Sequence, residues 1–519
     1  MLRAPFRRGL WVSQLRALLR SGAAVSALSG CSDGDNDSGA DQAAVTSSGG
    51  STSAGSDSDG GDSSSSGGGG ATSEAPSSST DDTGDPGPRV ITWHQDIAPI
   101  VARKCGGCHA SGGIAPFSLE TYAAAAPFAA LLLDAVERRV MPPFLAEDTE
   151  ECQPRLGFKD DPRLTGAEQG LLRDWVDEGA PEGDPKTAAP LPTPPELELE
   201  GADIHLKIPA PVTIQGDEDQ YICFSVDPGL VDDTWIDGLQ VTPGNHKVVH
   251  HVLVYLDPDR ASEQLMDVDG TYPCFGGPGL NNTSLIGAWA PGARPFVPPP
   301  EVALRVLAGS RIVINVHYHP TGAVEQDLST AVDLRRFVGV PTFVGMVAMI
   351  GNLNTASQGL LPGPNDPGGV PSFLIPAGAV GHTEEMLVEV TPELPELRLF
   401  GVTPHMHYVG TDMRIGILRA DPEPEVLAEE CLLQTPRWDF QWQQLYSYDA
   451  DLDDLPRARP GDKVSLRCTY DNSLGNPAVV AALAEQGLSE PQDVKLGEAT
   501  LDEMCLGVFG VAVALKDLL

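Results

Sequence analysis

Val248-Val249-His250-His251-Val252-Leu253-Val254-Tyr255 and its later counterpart Arg311-Ile312-Val313-Ile314-Asn315-Val316-His317-Tyr318-His319 decide the fold class. Both runs are short and rich in β-branched residues, and Gly and Pro punctuate the chain around them, which is the pattern of strands in an all-β domain. The same texture continues to the C-terminus. Residues 200–345 and 346–519 are therefore expected to form two all-β, jelly-roll-like sandwiches.

Eight of the 11 histidines lie beyond residue 240, and seven of these fall in three groups. The groups are His246, His250 and His251; His317 and His319; and His405 and His407. On a strand, residues i and i+2 share a face, so His405-Met406-His407 can turn both rings toward one metal. The adjacent pair His250-His251 would point to opposite faces of a regular strand, so joint ligation requires a twist or a bulge. Each group alone also reads as ordinary core or surface histidines. Near the C-terminus, Asp502-Glu503-Met504-Cys505-Leu506 sets a methionine at the start of an apolar strand, by composition a core residue.

Upstream the chain changes character twice. Residues 90–187 read as a small helical domain that opens with Cys105-Gly106-Gly107-Cys108-His109. The C-x-x-C-H spacing lets two thiols join a haem while the adjacent histidine ligates its iron. A disulfide, half a zinc site or a redox dithiol would use the same two cysteines. As distal iron ligand the segment offers Met141, in a Pro-rigid loop, or His94. The run after Leu164 has helical spacing, with Thr165 as N-cap. The segment resembles a small cytochrome c domain, and a Pro-rich linker over 188–199 separates it from the β region.

Residues 1–31 carry Arg3, Arg7, Arg8, Arg16 and Arg20, then a small and apolar stretch ending Leu28-Ser29-Gly30-Cys31. This resembles a bacterial export signal with a lipobox, in which Cys31 becomes the lipidated first residue. The Arg7-Arg8 pair leaves twin-arginine export open. Residues 32–89 form a Ser/Gly/Asp tract without a single Lys or Arg before Arg89. Such a tract cannot bury enough apolar surface to order itself, and it would act as a tether spanning roughly 40 Å. No later stretch reaches the length of a membrane-spanning helix. The expected location is the bacterial cell envelope, with membrane contact through the lipid alone. With 519 residues the chain suits about three domains, and its net charge of −40 argues against nucleic acid as a partner.

Taken together, the C-terminal motifs resemble the copper type II monooxygenases, the group of dopamine β-monooxygenase and peptidylglycine α-hydroxylating monooxygenase. The resemblance covers roughly residues 200–519. It rests on the order Tyr221-Ile222-Cys223, His250-His251-Val252-Leu253-Val254-Tyr255, Tyr272-Pro273-Cys274, Ala288-Trp289-Ala290-Pro291-Gly292, Val316-His317-Tyr318, His405-Met406-His407 and Asp502-Glu503-Met504-Cys505. It implies two copper ions: an electron-storing one on His250, His251 and His317, and an O2-reactive one on His405, His407 and Met504. It also implies disulfides between Cys223 and Cys274 and between Cys468 and Cys505. Cys152 and Cys431 are left over, their pairing open. His246 and His319 match no family ligand.

The implied activity is hydroxylation of a C–H bond of a small organic substrate with O2. An external donor supplies two electrons, ascorbate in the characterised animal relatives and here, through the fused haem c, an electron source of the cell envelope. The peptide-amidating members hold a substrate carboxylate with an Arg and an Asn, where this chain has Thr403 and Leu506. A less polar substrate is expected. A non-catalytic copper and haem electron-transfer or copper-binding lipoprotein is the alternative. A zinc hydrolase fits less well, because no Glu or Asp stands in a metallohydrolase motif beside the histidines and Met504 would have no role.

Overall fold

The computed structural model describes residues 89–518, apart from 112–114, 193–197, 217, 276, 292, 353–358, 364, 423–427, 498 and 500. The expected export signal, the lipidated Cys31, the tether up to residue 88 and Gly292 lie outside the described residues. Among those described, no helix is long and apolar enough to cross a membrane.

Most of the described chain is β-sandwich. A five-stranded sheet runs in the order Thr271–Pro273, Gln220–Val226, Arg311–Tyr318, Val249–Asp257, Ser284–Trp289. A four-stranded sheet runs Val380–Glu389, Lys463–Asp471, Gly410–Leu418, Glu429–Thr435. Both pack on one long sheet. Its order is Ile204–Lys207, Ala331–Arg336, Thr234–Thr242, Val302–Val306, Phe343–Gly351, Leu506–Ala514, Leu397–His405 and Tyr446–Ser447, with Arg457–Ala458 also pairing on Leu397–His405.

The two sandwiches therefore share a backing sheet. Parallel pairing of Phe343, Val344 and Gly345 with Val302, Ala303 and Leu304 makes the join. The boundary drawn from sequence at 345/346 falls inside the strand Phe343–Gly351. One core, around Leu239, Val252, Ile314, Val316 and Val332, fills the first sandwich. Another, around Phe400, Met413, Leu433, Leu466 and Phe509, fills the second.

The strand Arg311–Tyr318 is buried at every position. Its apolar residues face two layers, which is why it reads as a continuous apolar run rather than an alternation. The neighbouring strand Val249–Asp257 is irregular in its pairing with Arg311–Tyr318. Val249 pairs with Tyr318 and His251 with His317, so His250 is an extra residue, a β-bulge.

Residues 90–187 contain the helices Ala98–Lys104, Tyr122–Ala125, Ala129–Glu137 and Gly166–Asp177, packed around Trp93, Ile97 and Trp175. Thr165 caps the last of these, with Glu168 completing a capping box. This segment docks on the second sandwich. Phe144 and Phe158 meet Tyr446 edge-on, at 5.0 and 5.4 Å between ring centres. The Tyr446 hydroxyl accepts from the Leu145 amide at 3.1 Å. A disulfide joins Cys152 to Cys431 and settles the pairing of the two leftover cysteines.

The central strand Leu506–Ala514 pairs on both sides, with Phe343–Gly351 and Leu397–His405. Gly510 lies beneath the buried ring of Phe400, and a Cβ there would come within 2.2 Å of it. Gly510→Ala is expected to overpack the second core at a cost of about 1–3 kcal/mol. A lowered thermal midpoint of the purified chain checks this, and an unchanged midpoint would show that the Phe400 ring has room to turn.

Candidate metal centre

The bulge at His250 removes the obstacle that consecutive histidines present. With one extra residue in the strand, His250 and His251 both turn toward His317 on the neighbouring strand. The three Nδ1 atoms lie 3.3 Å (His250 to His251), 3.3 Å (His250 to His317) and 3.2 Å (His317 to His251) apart. This is the one group of three His, Cys, Asp or Glu side chains among the described residues whose ligand atoms converge.

The outer nitrogens explain which tautomers are present. His250 Nε2–H donates to Gln441 Oε1 at 3.0 Å, and His317 Nε2–H donates to Asp219 Oδ2 at 2.8 Å. In a neutral imidazole this leaves Nδ1 as a bare lone pair on both rings. Burial, first, lowers the pKa of His250 and holds His251 well below its usual value, and the neighbouring ring charges add to the effect. These two rings are therefore neutral at neutral pH. Nδ1 atoms about 3.3 Å apart share either a proton or a cation between them. The centre of an equilateral triangle of that side is the side divided by √3, about 1.9 Å, from each nitrogen. That is close to the ~2.0–2.1 Å of metal–imidazole bonds. The three residues thus fit a metal ion.

Asp219 also accepts from His319 Nδ1 at 2.7 Å. Burial would raise its carboxyl, but the hydrogen bonds from His317 and His319 and their charge outweigh it and hold the group well below the carboxylate range. The Tyr221 ring stacks on His317 at 4.3 Å, nearly parallel. The Cys223–Cys274 disulfide, implied by the family resemblance, is present. Cys223 pairs in register with Asn315, two residues before His317. His319 thus reaches the centre through Asp219, while His246 lies beside Trp289, 6.5 Å between ring centres.

His405 and His407 share a face as expected, with ring centres 5.3 Å apart. Here Nδ1 is the occupied atom on each ring. His405 Nδ1–H donates to Gln443 Oε1 at 2.6 Å and His407 Nδ1–H to the Asp502 carbonyl at 2.9 Å. Nε2 is left as the ligand atom on both. Burial lowers the pKa of both rings, that of His407 to about 3.

Met504 is buried, and its backbone is tied on both sides. Its amide donates to Glu503 Oε1 at 2.9 Å, and its carbonyl accepts from the Tyr470 hydroxyl at 2.9 Å. The same Glu503 oxygen accepts a short bond from the His407 amide. Burial pushes the Glu503 carboxyl up to about 8, against four backbone hydrogen bonds that lower it. The implied Cys468–Cys505 disulfide is also present and holds the neighbour of Met504. At Gly351, φ is +137° and a Cβ would lie 2.2 Å from the Cys505 carbonyl. Only glycine allows the strand to approach so closely beside Met504.

In the helical segment Cys105 and Cys108 are free, whereas the other six described cysteines are paired. Burial raises both thiols, Cys105 to about 12, so neither is held as a reactive thiolate. His109 Nδ1–H donates to the Phe117 carbonyl at 2.9 Å, which leaves Nε2 as its ligand atom. Two unpaired thiols beside an oriented imidazole fit a covalent haem. Met141 follows the helix Ala129–Glu137, half-buried, its amide donating to the Ala135 carbonyl at 3.2 Å. His94 sits apart, its Nε2 3.5 Å from the Glu182 carboxylate.

Asp219, Gln441, Gln443 and Glu503 escaped the sequence reading as site residues. Glu503 stood in a quoted motif, and Asp219 stands two residues before another. Gln441 and Gln443 lie in a Gln-rich run that has no ligand spacing of its own.

No known family pattern matches the chain. Among solved structures it is similar to a chain of Broad Bean Stain Virus, with 11% identity, 62% of this chain and 94% of that chain covered, and a TM-score of 0.22. It is also similar to the CBM22-1–CBM22-2 tandem domain of Paenibacillus barcinonensis Xyn10C, with 9% identity, 59% and 82% covered, and a TM-score of 0.15. At TM-scores this low the likenesses say nothing about its chemistry.

Partners that orient metal-binding histidines are worth about 10–100-fold in affinity. Asp219→Asn is expected to weaken metal binding at the His250, His251 and His317 centre by that factor. His317→Ala should abolish binding there. Competition titration with a metal chelator measures both, and an Asp219→Asn protein with wild-type affinity would remove Asp219 from this role.

Proposed function

We propose that the chain is a copper-dependent monooxygenase that hydroxylates a C–H bond of a small, weakly polar organic molecule with O2. The convergence of three Nδ1 atoms from His250, His251 and His317 carries this reading. Copper held at the two centres would supply one-electron redox chemistry and O2 activation. An all-imidazole set suits copper in both oxidation states, as an electron store requires. His405, His407 and Met504 add a thioether, a donor that favours Cu(I). That argues against zinc, and the family resemblance makes this second centre the O2-reactive one.

The chain's own residues prepare both centres. Burial keeps His250, His251, His405 and His407 neutral, so their ligand lone pairs are available without a proton being displaced. Glu503 and Tyr470 fix the backbone on which His407 and Met504 stand. Thr403 and Leu506 offer no charge to a substrate carboxylate. Val508, two residues beyond Leu506, packs with Leu253 and Val347 against an apolar cluster. A glycine-extended peptide is therefore a poor substrate.

Hydroxylation with release of water needs two electrons from outside. Cys105, Cys108 and His109 would hold a haem c, with Met141 as distal ligand, and the fused segment is the port through which those electrons reach the His250, His251 and His317 centre. Three disulfides suit an oxidising compartment, in keeping with an exported envelope protein.

Metal and haem analysis is expected to return two coppers and one haem per chain. The reduced, copper-loaded protein should take up O2 and place one labelled oxygen atom in product. Zinc in place of copper, or no O2 uptake with any reductant, would sink the reading. Rapid mixing of reduced haem with oxidised copper centres tests the port separately. A haem that stays reduced over the turnover time excludes it while leaving the copper chemistry standing.

A further inference from the structure

One short segment touches both histidine centres. Gln441 Oε1 accepts from His250 at 3.0 Å, and two residues later Gln443 Oε1 accepts from His405 at 2.6 Å. Between the centres stands Phe440. Its ring centre is 6.2 Å from that of His250 and 5.9 Å from that of His407. By the sum of those two distances, the two imidazoles lie within about 12 Å of each other.

The segment is braced along its length. Arg437 donates to the carbonyls of Arg138 and Arg139 at 3.1 and 3.2 Å and pairs with Glu147, which ties it to the turn that carries Met141. Trp438 Nε1–H donates to the His407 carbonyl at 3.0 Å. The Gln441 amide donates to Asp439 Oδ1 at 2.9 Å, and Gln443 Nε2 donates to the Phe440 carbonyl at 3.0 Å. Gln441 also hydrogen-bonds Tyr408, whose ring lies 4.5 Å from Phe440. A displacement of either glutamine must therefore move the other.

We propose that Gln441 and Gln443 are positioning residues on a single strap, Arg437–Gln443, which orients one imidazole of each centre and couples the two. The proposal rests on the reading of both histidine groups as metal sites. The physical argument concerns lone pairs and order. Each glutamine oxygen accepts the N–H of the nitrogen that faces away from the metal, so it selects the tautomer and the ring angle. Metal bound at one centre fixes its histidine, then the glutamine, then the strap. The second metal meets a histidine already held, and its binding costs less conformational entropy. Linkage makes the effect reciprocal.

The test is Cu(I) titration of the full-length, haem-containing apo-protein against a chromophoric chelator, in wild type and in variants. His317→Ala and His405→Ala assign the two copper-binding events. Gln441→Leu is expected to weaken the first centre at least about tenfold, and to weaken the second, which it does not touch, by about fivefold. Gln443→Leu should give the mirror image. Gln441→Glu keeps the acceptor and is expected to restore both affinities, which a folding defect would not allow. The Cu(II) electron paramagnetic resonance signal of the first centre should shift in Gln441→Leu and return in Gln441→Glu. Affinities within twofold of wild type in both leucine variants would overturn the proposal while leaving both metal sites intact. Wild-type copper content unchanged by His317→Ala and His405→Ala would instead overturn the metal-site reading itself.

Discussion

One extra residue in one strand is the constraint on which the first centre depends. Without the bulge at His250, His250 and His251 would lie on opposite faces of Val249–Asp257, one in the core and one outside. With it, both rings face His317, and three Nδ1 atoms meet at 3.2–3.3 Å. The arrangement is held because Asp219 and Gln441 engage the far side of His317 and His250, Tyr221 stacks on His317, and a disulfide pins the adjacent register.

The second centre solves the same problem by different means. His405 is the last residue of its strand and His407 lies just beyond it, so no bulge is needed to bring the two rings together. The difficulty there is the methionine, which comes from a distant stretch of chain. A fully buried carboxylate, Glu503, takes amides from both His407 and Met504, and a disulfide at Cys505 closes the other side. The two centres also differ in ligand atom. Outer partners occupy Nε2 on His250 and His317 but Nδ1 on His405 and His407. The first set therefore converges through short Nδ1 arms close to the backbone. The second presents Nε2, farther from the backbone.

What was legible in the sequence were the features written in local pattern. The β-branched runs, the H-x-H face, the Thr165 cap and the need for a bulge at His250-His251 all follow from spacing along a few residues. The shared backing sheet did not. It turns on a parallel pairing between Val302–Val306 and Phe343–Gly351, and neither strand carries a signal naming its partner. The supporting residues were hidden for the same reason. Gln441 lies 191 residues from His250, and Asp219 lies 98 from His317. A glutamine or an aspartate becomes part of a site only when the fold delivers it. The leftover cysteines were visible as a pair without a known purpose, and their bond proves to be the staple of a docked segment.

That docking bears on why the helical segment belongs to the same chain at all. A separate electron-carrying partner would have to find this surface by diffusion and leave again. Here Phe144 and Phe158 sit against Tyr446, Glu147 pairs with Arg437, and Cys152 is covalently joined to Cys431. The exposed ion pairs alone contribute little. The aromatic contact and the disulfide remove the loss of translational and rotational freedom that a free partner would face on every encounter. The segment is held by a disulfide that spans 279 residues, so local loosening of the Pro-rich linker cannot release it. On the proposed electron-port reading, a permanent dock of this kind suits a segment that always serves the same acceptor, and the short run from Arg437 to Gln443 is the stretch of backbone that begins at that dock and ends at the histidines.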